Sequence, residues 1–377
     1  MIRQIIYNAV IFVICSILGF PYKKNYKEKI DSKKNFYNVL GLSEVKGMDK
    51  KMKKSALILM ATYNGENYVS QQLESIISQD YSDFDLYIRD DGSTDKTLEI
   101  IKSYIKEDNR ILLIENQGNV HGACINFYEL LKIAKKNIDN YKYYFLSDQD
   151  DVWQKNKLSR EIEEIRRISV DNTPSLVYSD LMIMDEKGNN QLKMSELQNI
   201  NLTNPADIFF NQIYVWGNTI TINKELLKMI QIPLTINNGI SHDHYLAFYA
   251  AAFGNIKFID VPLVRYRRYE TNVSDLPHKY SKMEAAKKAL KKMNSIVSSH
   301  AANYNNILYF IYNAPLQNQL TKDIELCYRI GGIKALRIMK KYHVSGGANK
   351  YNKIAKKMIL FSKIYKFNNN YHGGKFE

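Results

Sequence analysis

The sequence predicts an α/β fold in which a mainly parallel sheet is covered by helices on both faces. Three observations lead there. Short apolar runs alternate with segments of helical periodicity four times between Ser55 and Leu146. The connections between them are short, as in repeated βαβ units. Each apolar run ends in a polar or acidic cluster, and ligands of such sheets bind beyond the C-terminal strand ends.

The elements follow in order. Ala56 to Ala61 is an apolar run that ends at Thr62-Tyr63-Asn64-Gly65, a buried strand followed by a turn. Val69, Leu73, Ile76 and Ile77 give 66–78 helical spacing. Phe84 to Arg89 is a second strand and ends at Asp90-Asp91-Gly92-Ser93, after which Ser93 or Thr94 is expected to cap a helix over 95–107. Ile111 to Ile114 is a third strand, 122–136 a third helix, and Tyr143 to Leu146 a fourth strand that ends at Asp148. Four strand ends thereby aim Tyr63-Asn64, Asp90-Asp91, Asn116 to Asn119 and Asp148 to Asp151 at one crevice. A helix over 155–168 follows, then strands at Leu176 to Ser179 and Met182 to Met184, with a turn at Asp185 to Gly188. Tyr214 to Ile222 is expected as strand, 241–253 as helix, and Ile256 to Ile259 with Leu263 to Tyr266 as a strand pair around Pro262. From 278 the chain reads as basic helices, with Met283, Ala286, Leu290 and Met293 on one face, and a frayed end from Asn368.

Charge divides the chain in the same way. The formal net charge is +14, yet residues 55–277 hold 22 basic and 31 acidic side chains. The positive excess lies in 21–54 and in 278–377. A nucleic-acid protein concentrates positive charge on its folded recognition module, so nucleic acid is not an expected partner. Basic flanks beside an apolar run, residues 5–20, fit an anionic membrane surface. That run is short for a spanning helix and is followed by Pro21 and four lysines, so it is expected to lie in the interface or insert partly, unless it packs on the protein's own core. The organisation expected is a membrane-associating segment (1–30), a linker (31–54), an α/β domain (55–277) and a basic helical region (278–377). Cys15, Cys124 and Cys327 are far apart and carry neither a disulfide framework nor zinc spacing. The 28 tyrosines suit part-apolar, part-wet surfaces such as sugar sites, or reflect AT-rich coding.

Asp148, Asp150 and Asp151 crowd one strand end. Like charges so close call for a cation, and Mg²⁺ typically takes one or two carboxylates together with substrate phosphates. The competing reading is a helix start, with Asp151 as the cap. Asp90-Asp91 reads as a turn or as a base or ribose contact, and Tyr63 as a surface residue or a stacking platform. Ser241-His242-Asp243-His244 offers a general base, Asp243, in a first helical turn capped by Ser241; the competing readings are that Asp243 only stabilises the helix start and that His242 or His244 is the base or a metal ligand. His242 and His244, two apart, do not share a helix face, so a joint metal site is not expected.

Together, Ala61 to Gly65, Gln79-Asp80-Tyr81, Asp90 to Asp95 and Leu146 to Trp153 resemble family 2 glycosyltransferases of the GT-A (Rossmann-like) fold, over residues 55–275. The Ser147 to Trp153 motif, with His242-Asp243 and Tyr266-Arg267, is similar to the rhamnosyltransferase-type subgroup of bacterial surface polysaccharide synthesis, with capsule among the products expected. The resemblance implies an inverting transfer from a nucleotide-diphosphate sugar, such as dTDP-rhamnose, to a glycan or lipid-linked acceptor, with Mg²⁺ or Mn²⁺ at the cytoplasmic face of the membrane. It implies Asp243 as base, Asp150 with Asp148 at the metal, and Tyr63 and Asp91 at the nucleotide base. Asp148 would also face the ribose or sugar, and Trp216-Gly217-Asn218 would lie near the sugars. Thr62, Asn64, Glu66, Asp90, Asn119 and Arg267 complete the expected donor-binding set. Relatives commonly read Tyr-Arg-x-His where this chain reads Tyr266-Arg267-Arg268-Tyr269. The processive Gln-x-x-Arg-Trp pattern is absent, so one sugar per acceptor is expected. A nucleotidyltransferase would want a Gly-rich loop after the first strand, which 62–70 lacks. An inactive membrane scaffold would not need the intact carboxylates.

Overall fold

The computed structural model describes residues 54–373 except 117, 119, 199, 203, 212–213, 233–239, 270–292 and 345–349. These residues belong to one compact unit that begins at Met52. The expected membrane segment, the linker up to Lys53 and the helical face at Met283, Ala286 and Leu290 lie outside them.

Among the described residues a nine-stranded sheet runs in the order β3 (Ile111–Glu115), β2 (Phe84–Asp90), β1 (Ala56–Thr62), β4 (Tyr143–Ser147), β8 (Ile220–Asn223), β6 (Ser175–Met184), β9 (Asn255–Arg267), β5 (Val152–Trp153), with β7 (Asn190–Lys193) added to β6. Its first half is as predicted. β1 (Ala56–Thr62), β2 (Phe84–Asp90), β3 (Ile111–Glu115) and β4 (Tyr143–Ser147) pair in parallel. β1 and β2 are buried along their whole length; β1 is accordingly an apolar run up to Ala61, whereas the buried Asp85 and Arg89 of β2 are paired with Tyr141 and Asn126. The crossovers are helices α1 (Val69–Ile77), α2 (Thr97–Glu107) and α3 (Ala123–Lys136).

The second half is mixed rather than parallel. After β5 (Val152–Trp153) and α4 (Lys157–Ile168), β6 (Ser175–Met184) runs unbroken through both predicted pieces. β7 (Asn190–Lys193), α5 (Met194–Leu197) and α6 (Ala206–Asn211) follow. β8 spans only Ile220–Asn223, antiparallel to β4 and β6. Residues 214–219, expected as strand, form a loop and a 3-10 turn, Gly217–Thr219. After α7 (Lys224–Met229) and α8 (His242–Phe253), β9 (Asn255–Arg267) is one continuous strand and not a pair. It runs parallel to β6, and the register shifts at Asp180, opposite Pro262. A bulge is where a strand tolerates a residue without an N–H.

Two expected caps differ. Lys96, not Ser93 or Thr94, holds the N-cap position of α2, and the Asp95 carboxylate accepts from the Thr97 N–H at 3.0 Å. Asn156 precedes α4, so Asp151 caps nothing and is free for another use.

Helices α9 (Met293–Asn313), α10 (Gln319–Ile330), α11 (Gly332–Lys341) and α12 (Lys350–Ser362) make up the C-terminal region. α8 is buried from Tyr245 to Ala252, as a helix apolar on all sides must be. Phe310 of α9 packs on Tyr245, Phe248, Tyr249 and Phe253 of α8, with ring centroids 5.0–6.2 Å apart. Many tyrosines are therefore core residues with their hydroxyls on buried carbonyls: Tyr178 donates to Ile200 O and Tyr328 to Phe209 O, each at 2.5 Å. The segment from Asn368 to Gly373 is held, since Tyr371 donates to Tyr328 O at 2.8 Å.

Candidate active site

Parallel register brings the strand ends level. Thr62 pairs with Asp90 and Met60 with Ser147, so the loops after β1, β2 and β4 leave the sheet along one edge. The loop 214–218 and the start of α8 complete a cleft of about 1320 Å³. Of the predicted residues, Thr62, Tyr63, Asn64, Asp91, Asp148, Asp150, Trp216, Gly217, Asn218 and Asp243 line it. Asp90, Glu66 and Arg267 do not, and Asn119 lies outside the described residues.

The adjacent carboxylates at the end of β2 part company. Asp90 is consumed by the turn: it accepts from Thr62 Oγ1 (2.9 Å), Gly92 N (3.0 Å), Ser93 N (2.8 Å) and Ser93 Oγ (2.6 Å). Asp91 reaches the cleft, steadied by Gly122 N at 2.7 Å and Asn116 Nδ2 at 2.8 Å. Asn64, at φ 46°, accepts from Thr94 N at 2.8 Å. This left-handed position suits an asparagine. Glu66 accepts from the Lys96 N–H at 2.9 Å and so secures the start of α2. Tyr63 is 54% exposed, with its ring free to meet a planar partner.

Gln149, which sequence reasoning passed over, clamps the Tyr63 backbone. Its Oε1 accepts from Tyr63 N and its Nε2 donates to Tyr63 O, both at 2.8 Å. The Gln149 amide also fills the space a side chain at Gly65 would need, 2.4 Å from an ideal Cβ there. Its place between Asp148 and Asp150 was the available signal.

The three acidic residues of this turn have separate surroundings. Asp151 is fully buried, accepting from Asn218 Nδ2 at 2.5 Å and from Arg267 N at 3.4 Å. Burial, then the charges of Asp150 and Asp148, push its carboxyl well above the usual range. Asp150 is also raised by burial, against the lowering effect of the Tyr269 hydroxyl, which donates to Asp150 Oδ2 at 2.5 Å. Tyr269 thus stands on the carboxylate where relatives commonly carry histidine. Asp148 is pushed up to about 7 by burial and by the charges of Asp150 and Asp243. Arg267 is the cation that acts on Asp150, and it does not relieve Asp148, which stays raised by burial and by two neighbouring carboxylates, so Asp150 and Asp148 are the residues that could hold a divalent cation. Among the described residues, no group of three or more His, Cys, Asp or Glu side chains is placed to hold a metal ion. Arg267 is a strut. Its guanidinium donates to Asp150 O (3.0 Å), Glu186 O (2.8 Å) and Gln71 Oε1 (2.6 Å) and lies over the Tyr68 ring.

On the other wall, Asp243 sits in the first turn of α8. Ser241, at the cap position, turns its hydroxyl to Asp243 Oδ1 rather than to the backbone, and His244 N donates to the same oxygen at 2.7 Å. Burial works to raise Asp243, but the neighbouring His244 and His242 and these two hydrogen bonds hold it below the ordinary carboxylate range. We give the hydrogen bonds the larger share over His242, whose own imidazole is held low by burial and is neutral at pH 7. The His242 ring stacks on Phe127 with centroids 4.0 Å apart, and neither of its nitrogens has a partner among the described residues. Trp216 Nε1 and Asn218 Oδ1, on the same cleft, are likewise unpartnered. Buried polar atoms left open are what a polyhydroxylated ligand would satisfy.

This sheet with a carboxylate turn beyond its parallel half is that of a GT-A glycosyltransferase. Residues 57–228 match the description Glycosyl transferase family 2. The dTDP-rhamnosyl transferase RfbG of Shigella flexneri is 31% identical over 220 residues, 56% of this chain and 72% of that protein. An uncharacterized glycosyltransferase of Haemophilus influenzae is 23% identical over 80% of this chain and 83% of its own length. Among solved structures, S. aureus TarS 1-349 superposes with a TM-score of 0.50 at 16% identity, covering 83% of this chain and 82% of that one, a likeness of fold. The chain belongs to glycosyltransferase family 2 and is a glycosyltransferase that uses a nucleotide-sugar donor.

Proposed function

We propose that this protein moves one sugar from a nucleotide-diphosphate sugar to a glycan or lipid-linked acceptor, with inversion, in bacterial surface polysaccharide synthesis. dTDP-rhamnose is the donor we favour, on the resemblance to RfbG. The observation that supports the mechanism is that Asp243 and the Asp148–Asp150 turn line one cleft, close enough for the Asp243 charge to be felt at Asp148.

Tyr63 and Asp91 hold the base, and Asp148 faces the ribose or sugar. Mg²⁺ or Mn²⁺, held by Asp150 and Asp148, would serve as the Lewis acid that neutralises the diphosphate. Asp243 takes the acceptor hydroxyl proton on Oδ2, the oxygen to which neither Ser241 nor His244 N–H donates. The acceptor oxygen bonds the anomeric carbon from the face opposite the diphosphate, which departs with the electron pair of the broken C–O bond. Trp216, Asn218 and His242 offer the open donors and acceptors for sugar hydroxyls. The setting we propose is peripheral or monotopic at the cytoplasmic face of an anionic membrane.

The test is a pair of variants. Asp243→Asn should keep donor affinity and lower transfer about 10²–10⁴-fold, the usual worth of a positioned base. Asp150→Ala should abolish metal-dependent nucleotide binding. Normal turnover in Asp243→Asn would point to another base, and unchanged metal dependence in Asp150→Ala would remove Asp150 from the metal.

A further inference from the structure

The C-terminal helix presents an apolar stripe to solvent. On α12 the inward face is Lys356, Ile359 and Leu360, each under a tenth exposed. On the outward face Ile354, Met358 and Phe361 are 48%, 64% and 54% exposed. Their i, i+4, i+7 spacing puts them in one line along the helix. The 3-10 turn Ile364–Phe367 extends the line with Ile364 (45%) and Phe367 (87%). This turn is fixed, because Tyr365 is buried and donates to Tyr328 O at 2.8 Å. Lys357 and Lys363 are exposed beside the stripe.

Along the sequence, Leu326 to Gly373 carries eleven Lys or Arg and no Asp or Glu. Arg329 and Lys341 of these are paired, with Glu325 and Asp323, and the Asp207 charge that acts on Lys356 is buried on the inward side of α12. A second copy of this face would bring the same unbalanced charge, and the chain's own 21–54 segment is basic too. An apolar helix face flanked by lysines, with no acidic residue, matches an anionic lipid surface: apolar side chains enter the headgroup–acyl boundary while ammonium groups meet the phosphates.

We propose that this face, and not only the apolar run at residues 5–20, docks the protein on an anionic bilayer, with Ile354, Met358, Phe361 and Phe367 entering it and Lys357 and Lys363 at the headgroups. It specifies the surface for the membrane setting given above and does not depend on the sugar chemistry.

The experiment is co-sedimentation of the full chain with phosphatidylethanolamine vesicles containing about one-third phosphatidylglycerol, against phosphatidylcholine vesicles. The Met358→Asp/Phe361→Asp/Phe367→Asp variant changes only exposed positions, and donor hydrolysis and Tm report that it remains folded. Partition onto the anionic vesicles should fall roughly tenfold or more in this variant, and Lys357→Glu/Lys363→Glu should lower it and weaken its salt dependence. Unchanged partition of the triple variant would overturn the proposal and move attachment to another segment. So would wild-type binding no better to anionic than to neutral vesicles, or a dimer in solution that the triple variant dissolves. Wild-type chain that hydrolyses donor but binds no vesicle overturns the docking face and leaves the transferase reading standing.

Discussion

Gly217→Ala tests how tightly the wall that carries Asp243 is built. Gly217 opens a 3-10 turn with a negative φ, so alanine brings no backbone strain and the effect is one of contact alone. An ideal Cβ there stands 2.8 Å from His242 Nε2 and 3.6 Å from Asp243 Cβ. Ordinary contact begins at 3.4 Å, so the imidazole must give way by 3.4 − 2.8, about 0.6 Å. One face of the imidazole is closed by Phe127, stacked on it with centroids 4.0 Å apart, which limits its retreat. The start of α8 must therefore shift and take Asp243 with it. Overpacking of this kind costs about 1–3 kcal/mol of stability. A displacement approaching 1 Å at a reacting group costs about 10²-fold, so we expect transfer to slow by roughly 10–100-fold. Nucleotide affinity, which we propose is set across the cleft at Tyr63 and Asp91, should hardly change. Steady-state transfer monitored by nucleotide release, with nucleotide binding by calorimetry, separates the two. His242→Ala in the Gly217→Ala background should recover the lost Tm. Transfer within about twofold of the parent in Gly217→Ala would refute the idea that this contact sets the base.

Two further outcomes follow from the geometry. Gln149→Glu keeps the bond from Tyr63 N but faces Tyr63 O with a second acceptor, so nucleotide binding by calorimetry should weaken about tenfold, the worth of one hydrogen bond lost and one carbonyl opposed. Lys356 is buried and, by burial, held down to about 7, while His300, by burial and the Lys356 charge, is held down to about 4. Both bind protons more weakly folded than unfolded, so stability should fall as pH drops from about 10.5 to 7 and again from about 6.5 to 4. Lys356→Met should flatten the upper window in thermal melts at a series of pH values.

The parallel half of the sheet was legible because β1, β2 and most of β4 are buried on both faces and its helices keep a 3.6-residue period. β9 was not, because Pro262 looks like a strand break until the bulge opposite Asp180 is known. Residues 214–219 are rich in strand-forming types, but their loop is fixed by tertiary contacts, such as the Asn218 amide on Asp151. At the site, Tyr63, Asp91, Asp148, Asp150 and Asp243 stand together in the cleft as sequence reasoning expected. Asp90 and Asp91 are chemically identical neighbours, and only the hydrogen bonds from Thr62 and Ser93 tell that Asp90 is spent on the turn. Arg267 was expected in the donor-binding set, and the structure shows its guanidinium donating to two backbone carbonyls and Gln71. Tyr269 shows what position alone hides: its phenol hydroxyl reaches the Asp150 carboxylate from 119 residues further along the chain.

The strut at Arg267 also bears on how the chain is made. The carboxylate turn belongs to residues 148–151, and part of what holds it comes from 116–119 residues further on: the Arg267 backbone and guanidinium, and the Tyr269 hydroxyl. β5, next to the turn, likewise pairs with β9. A nascent chain that has released β1 to β4 can form a four-stranded parallel sheet and the Gln149 clamp on Tyr63, but its acidic turn lacks the Arg267 and Tyr269 supports until synthesis has passed residue 269. Such long-range closure is slow and comes late. The finished turn is thereby tied to late synthesis, and a product ended before β9 lacks the partner of β5 and the Arg267 and Tyr269 bonds to Asp150 and Asp151.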